Sequence, residues 1–396
     1  MGKGVDMEWT STPITTPITA DLVRGALQLE ETDRGLLPHR LPSAARVQSG
    51  DPGVLSAEAQ AAGVRLVFRT AASTVELDTV RTARTYAEVP PRPDCAYDLL
   101  VDGELVAQTT QPEGDVIVTS FATGSVETRH GEAGTARFVG LPARDKVVEL
   151  WLPWSEEVRL VELRTDAPIQ PVPQGRRVWL HHGSSISQGS NADGPSSTWP
   201  ALAARAGGVD LVNLGLSGNA LLDPFTARAM RDTAADLVSV KIGINLVNHD
   251  LMRRRAFTPA VHGFLDTIRD GHPDAPLLVV SPLLCPMHEE VPGPGAFDPT
   301  ALADGKDVFV STGDPAEVAT GKLTLQVIRE ELRSLVEQRS SEDPAIHYLD
   351  GLQLYGEQDA AELPLPDNLH PDGEAHRRIA ARFAASAFGP GRPFSQ

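Results

Sequence analysis

Asp367-Asn368-Leu369-His370 places a carboxylate and an imidazole three positions apart, close enough for one turn to hold both. An imidazole can take the proton of a serine hydroxyl that is otherwise a poor nucleophile, and a neighbouring carboxylate fixes its tautomer and stabilises the imidazolium. A serine suited to that base lies in His182-Gly183-Ser184-Ser185-Ile186, where Gly183 permits a tight turn. Ser185 is thus the candidate nucleophile, His370 the candidate base and Asp367 its orienting acid. The tetrahedral intermediate of acyl transfer also needs hydrogen-bond donors for its oxyanion. Gly218, in Asn213-Leu214-Gly215-Leu216-Ser217-Gly218-Asn219, can offer a backbone N–H; Asn245, in Gly243-Ile244-Asn245, can offer a side-chain amide; and the Ser185 N–H is the third donor. His182, beside the nucleophile, and His288, in Pro286-Met287-His288-Glu289-Glu290, are candidate substrate contacts. His288 lacks the His-Glu-x-x-His spacing of zinc hydrolases, so no metal ligation is expected, and the chemistry requires no organic cofactor.

These residues need strand ends to carry them. After Arg177, apolar runs at Val178–His181, Leu211–Leu214, Leu237–Ile242, Leu277–Val280 and Ile346–Leu349 alternate with helical patterns near Trp199–Ala206, Phe225–Ala235, Val261–Arg269, Leu323–Gln338 and Glu374–Ala385. That rhythm predicts a five-stranded parallel sheet with helices on both faces, an α/β fold whose ligand crevice lies at the carboxyl ends of the strands. Each candidate residue follows one of these strands, or lies between the last strand and the last helix. Asp372 is a candidate N-cap of that helix. Residues 282–321, rich in Pro, Gly, Asp and Glu, interrupt the rhythm and read as an irregular loop or lid that selects substrate.

Residues 34–166 have a different texture. Val64–Phe68 and Ser73–Asp78 alternate and are β-branched, and Tyr97–Val101 meets Glu104–Ala107 across Asp102-Gly103, a hairpin signal because that pair tolerates positive φ. Further strands at Asp115–Phe121, Ala136–Val139, Lys146–Leu152 and Val158–Leu163 predict an all-β, jelly-roll-like sandwich without helices. The expected organisation is an N-terminal extension over residues 1–33, the sandwich over 34–166, a linker over 167–176 and the catalytic unit over 177–396.

Composition limits the partners. The net charge is −18, and the basic residues are scattered among acids, which disfavours nucleic-acid or anionic-membrane partners and leaves a small-molecule ester as the expected one. Cys95 and Cys285 are too far apart in sequence to suggest a disulfide framework, and no charged start followed by an apolar run marks a signal peptide, so a cytoplasmic location is expected.

The ordered set Gly-x-Ser-Ile, Ser-Gly-Asn, Gly-x-Asn and Asp-x-x-His resembles the SGNH, or GDSL-type, esterase family over roughly residues 176–388. The resemblance implies a flavodoxin-like three-layer α/β/α fold and a serine esterase in which Ser185, Gly218, Asn245 and His370, with Asp367, hold the family's roles. Ser184 stands where many members have Asp before the nucleophile, and Leu246 where Asp often follows the asparagine; neither change removes a catalytic group. A sandwich placed before such a unit is similar to certain bacterial carbohydrate esterases, which implies a small acyl ester such as an O-acetyl group on a sugar or other small metabolite. The same residues also suit an acyltransferase. A glycan-binding protein with a degenerate hydrolase unit is a further reading.

Overall fold

The computed structural model describes residues 12–89, 93–120 and 122–395. Strands Asp210–Gly215, Val178–Gly183, Leu237–Lys241, Leu277–Val280 and Ile346–Leu349 lie side by side in that order, all parallel, so the expected five-stranded sheet is present. Neighbouring residues on a strand point to opposite faces. Leu180, Val238, Val240 and Val279 accordingly pack under helices Pro224–Asp232, Arg254–Gly271 and Leu325–Arg339. Trp179, Leu237, Leu278 and Val280 pack under Trp199–Gly207 and Gly373–Ala387. Both faces are therefore dry, which is why these strands read as continuous apolar runs. The last helix begins where expected, with the Asp372 carboxylate accepting from the Ala375 N–H at 2.9 Å.

Ahead of this unit, two largely antiparallel sheets face each other across one core. Val75, Leu77, Val158 and Leu160 come from one sheet, and Phe68, Tyr97, Leu99 and Leu150 from the other. The hairpin turn at Asp102-Gly103 holds φ values of 51° and 88°, the positive pair that the sequence suggests.

Two expectations need correction. Of the expected extension over residues 1–33, residues 1–11 lie outside the described residues, and the rest joins the sheets: Ile14–Thr16 pairs with Glu157–Thr165, Val23–Arg24 with Arg65–Thr70, and Gln28–Thr32 with Gly35–His39. These strands are short and sit at sheet margins, so the long alternation that betrays a strand is missing. Within the expected linker, Ile169–Pro171 likewise adds an edge to Arg65–Thr70. Two short helices, Ser43–Ser49 and Pro52–Ala59, accompany the sandwich, and their Ala45, Val54 and Ala57 pack on Leu216 and Ala229 of the α/β unit.

Arg40 joins the two regions. Its guanidinium is fully buried and donates to the carbonyls of Gln60 at 2.6 Å, Asn213 at 3.0 Å and Gly215 at 2.6 Å, and to Ala57. Burial lowers its pKa to about 10, so it stays charged at neutral pH. A buried carbonyl that loses its donor costs about 1–3 kcal/mol. Arg40→Ala strands several at once and is expected to destabilise the protein by about 3–5 kcal/mol, read as an earlier midpoint in urea unfolding.

Asp223, at the start of helix Pro224–Asp232, has a buried oxygen without a hydrogen bond. Burial, with Asp51 nearby, pushes its carboxyl up to about 6. A carboxyl raised on folding costs stability once the pH passes its unfolded value of about 4, and the cost is complete above about 6. Asp223→Asn is therefore expected to raise the melting temperature above pH 6 and to leave it unchanged near pH 4.

Candidate active site

Ser185 opens a four-residue helical turn, Ser185–Gln188, directly after strand Val178–Gly183. Its backbone N–H lies in the first turn of a helix, where such groups have no intrahelical acceptor. Gly183 is required by contact: a Cβ there would lie 2.3 Å from the Ser187 hydroxyl. His370 reaches the same point from the loop before the last helix. Its Nε2 is 2.9 Å from Ser185 Oγ, and its Nδ1 is 2.6 Å from Asp367 Oδ2. An ionised carboxylate only accepts, so Nδ1 carries the proton and Nε2 is left to accept from the serine hydroxyl.

Asp367 does more than face the ring. Its other oxygen accepts from the backbone N–H of Leu369 at 3.0 Å and of His370 at 2.7 Å. Burial would raise this carboxyl, but the hydrogen bonds from His370 and the two amides outweigh it and hold the pKa below the ordinary value. Asn368 between them takes a left-handed φ of 65°, which closes the turn.

Gly218 and Asn245 border the same cleft, of about 590 Å³. Gly218 has φ of 71°, in the left-handed region that favours glycine, and its carbonyl accepts from His249 Nε2 at 2.9 Å. Asn245 lies in the turn Ile244–Asn248 after strand Leu237–Lys241; its Oδ1 accepts from the Ala220 N–H at 3.2 Å. With the oxygen engaged, the amide nitrogen is the end available as a donor.

His182 and His288 are not brought to the cleft. The His182 ring stacks on Phe264 and donates from Nδ1 to the Leu214 carbonyl at 2.8 Å; burial lowers its pKa to about 4, so it is a neutral core residue. Strand alternation sends His181 and His182 to opposite faces, and helices cover both. His288 is fully buried behind Gly295, with Nδ1 donating to the Val291 carbonyl at 3.1 Å.

Other residues at the cleft escape the motif reading. Gln188 accepts from the Ser217 N–H at 2.9 Å and donates to Gln60 of the β-region, linking that region to the Gly218 loop. Trp154, Arg84 and Tyr86 bring the sandwich to the cleft wall. His249 had a signal in the sequence, since it lies four residues after Asn245 and shares its helical face. The expected irregular loop contains a hairpin, Gly295–Phe297 with Phe309–Ser311, whose phenylalanines also border the cleft.

Residues 182–378 match the model of the GDSL-like lipase/acylhydrolase family. The chain carries a GDSL-like lipase/acylhydrolase domain. Residues 22–160 match the N-terminal domain of SsfX3. Among solved structures, the chain is similar to SsfX3, a salicylyl-acyltransferase from a tetracycline biosynthetic pathway, at 29% identity and a TM-score of 0.75, over 93% of this chain and 94% of that one. It shares its fold with a GDSL-like lipase candidate of Bacteroides ovatus at 20% identity, over 95% and 97% of the two chains (TM-score 0.64). A family two carbohydrate esterase of Clostridium thermocellum shares the fold at 14% identity, over 82% and 91% (TM-score 0.54). A search of curated proteins finds no match. Among the described residues, no helix is long and apolar enough to cross a membrane.

The GDSL-like enzyme therefore has a hydroxyl, an imidazole and a carboxylate in hydrogen-bonded series. Asp367→Asn keeps the shape but offers Nδ1 an amide, which favours the wrong tautomer. It is expected to lower kcat on the order of 10²–10⁴-fold with KM little changed, measured by steady-state ester hydrolysis.

Proposed function

We propose that this GDSL-like enzyme cleaves small acyl esters through a covalent acyl-enzyme on Ser185. The observation that carries the reading is the unbroken series from Ser185 Oγ through both nitrogens of His370 to Asp367 Oδ2, at 2.9 Å and 2.6 Å. The Ser185 oxygen attacks the ester carbonyl carbon while its proton passes to His370 Nε2. The Ser185 and Gly218 N–H groups and the Asn245 amide hold the oxyanion, each such donor being worth about 2.7–4 kcal/mol in the transition state. On collapse the bond to the alcohol oxygen breaks, and that oxygen leaves with the proton from His370. Water then attacks the acyl carbon while its proton passes to the same imidazole; the bond to Ser185 Oγ breaks, the serine oxygen takes that proton back, and the acid leaves.

A second outcome uses the same groups: an alcohol replaces water in the last step, and the acyl group is transferred. Similarity to a salicylyl-acyltransferase along nearly the whole chain favours keeping it in view. Product analysis with and without an added alcohol separates the two.

The short-acyl reading rests on the absence in the sequence of an amphipathic or strongly apolar helix that would serve as a lipid-binding lid. It predicts that acetyl and butyryl p-nitrophenyl esters outpace octanoyl and longer ones. The Ser185→Ala variant is expected to lose hydrolysis and labelling by a fluorophosphonate, both of which the unaltered enzyme shows. Unchanged hydrolysis by the variant would overturn the proposal.

A further inference from the structure

The hairpin inside residues 282–321 is anchored to the catalytic loop. Phe309 donates its backbone N–H to the Asp367 carbonyl at 2.9 Å, and its own carbonyl accepts from Asn368 Nδ2 at 3.2 Å. These two bonds tie Phe309 to the first two residues of the turn that presents His370. Phe297 and Phe309 are direct partners in the hairpin register, and their rings stack with centroids 4.7 Å apart at 30°. The Phe309 ring meets the His370 imidazole edge to face, at 5.8 Å and 77°. Both phenylalanines are half-buried and border the cleft, forming the aromatic wall on the His370 side, while Trp154 and Tyr86 line it from the β-region.

Chemistry assigns that wall a side. The proton taken by His370 Nε2 is handed to the departing alcohol oxygen, so the alcohol lies against His370 and whatever flanks it. The oxyanion donors Gly218 and Asn245 belong to other loops. We infer that the Phe297–Phe309 pair is the alcohol subsite of this enzyme, and that it selects alcohols carrying a planar unsaturated ring. A flat ring stacks on such a pair with a gain that a puckered ring or an alkyl chain of equal area lacks, worth roughly 3- to 10-fold. The inference rests on the serine esterase reading and adds to it the class of alcohol.

The test compares 2-naphthylmethyl acetate with its saturated counterpart of the same carbon skeleton, (decahydro-2-naphthyl)methyl acetate, whose leaving oxygens are similarly basic. The unaltered enzyme is expected to prefer the naphthyl ester in kcat/KM by roughly 3- to 10-fold, and Phe297→Ala to bring the ratio near one. Phe297→Leu, which keeps apolar bulk without a ring, gives the same readout if the alanine variant does not fold. Methyl 2-naphthoate and methyl decahydro-2-naphthoate, with the ring moved to the acyl side, are expected to show no ratio that depends on Phe297. Equal rates for the two acetates, a preference that survives both variants, or a Phe297-dependent preference on the acyl side would overturn the assignment. Failure of the unaltered enzyme to label with a fluorophosphonate would instead indict the serine mechanism beneath it.

Discussion

The Asp367 carboxylate organises the site. One oxygen fixes the His370 ring, while the other closes the backbone turn through the amides of Leu369 and His370. The tautomer of the imidazole and the path of the chain are therefore set by one group. Because these bonds require an acceptor, they also keep the carboxyl ionised against the pull of burial. The last helix, capped by Asp372 immediately afterwards, anchors the turn to the sheet.

Around this turn, parallel topology supplies the remaining groups. Three neighbouring strands end at one rim, and each is followed by a loop that contributes to the cleft: Ser185 after the first, Gly218 after the second, Asn245 after the third. The β-region is bound to that scaffold by buried polar contacts and also borders the cleft. Asp210, at the start of a sheet strand, takes Arg24 at 2.8 Å and Arg65 at 3.0 Å from the sandwich side. The cleft thus has walls from the β-region, the strand-end loops and the hairpin, and the family motifs lie only on the strand-end loops and the Asp367–His370 turn.

Legibility in the sequence followed the range of the interactions. The parallel strands were readable because burial on both faces makes each a continuous apolar run, and the Asp367–His370 turn because its bonds span only two or three residues. The Asp102-Gly103 hairpin was equally local. His182 misled because adjacency to Ser185 says nothing about layers: its ring points away from the rim, under Phe264. Residues 282–321 looked irregular because their two strands have three residues each, too few to show a period, and are held by pairing to Asp367 and Asn368 more than fifty residues away. The edge strands before residue 34 were hidden for the same reason.

Acyl transfer through Ser185 requires a covalent intermediate on its oxygen. A dimethylcarbamoyl group deacylates slowly, so treating the enzyme with p-nitrophenyl dimethylcarbamate and mapping the modified peptide by mass spectrometry catches the intermediate. One carbamoyl group per chain is expected, located on Ser185, with an equal amount of p-nitrophenol released. A carbamoyl group on another residue, or none in an enzyme that still turns over p-nitrophenyl acetate, would contradict it.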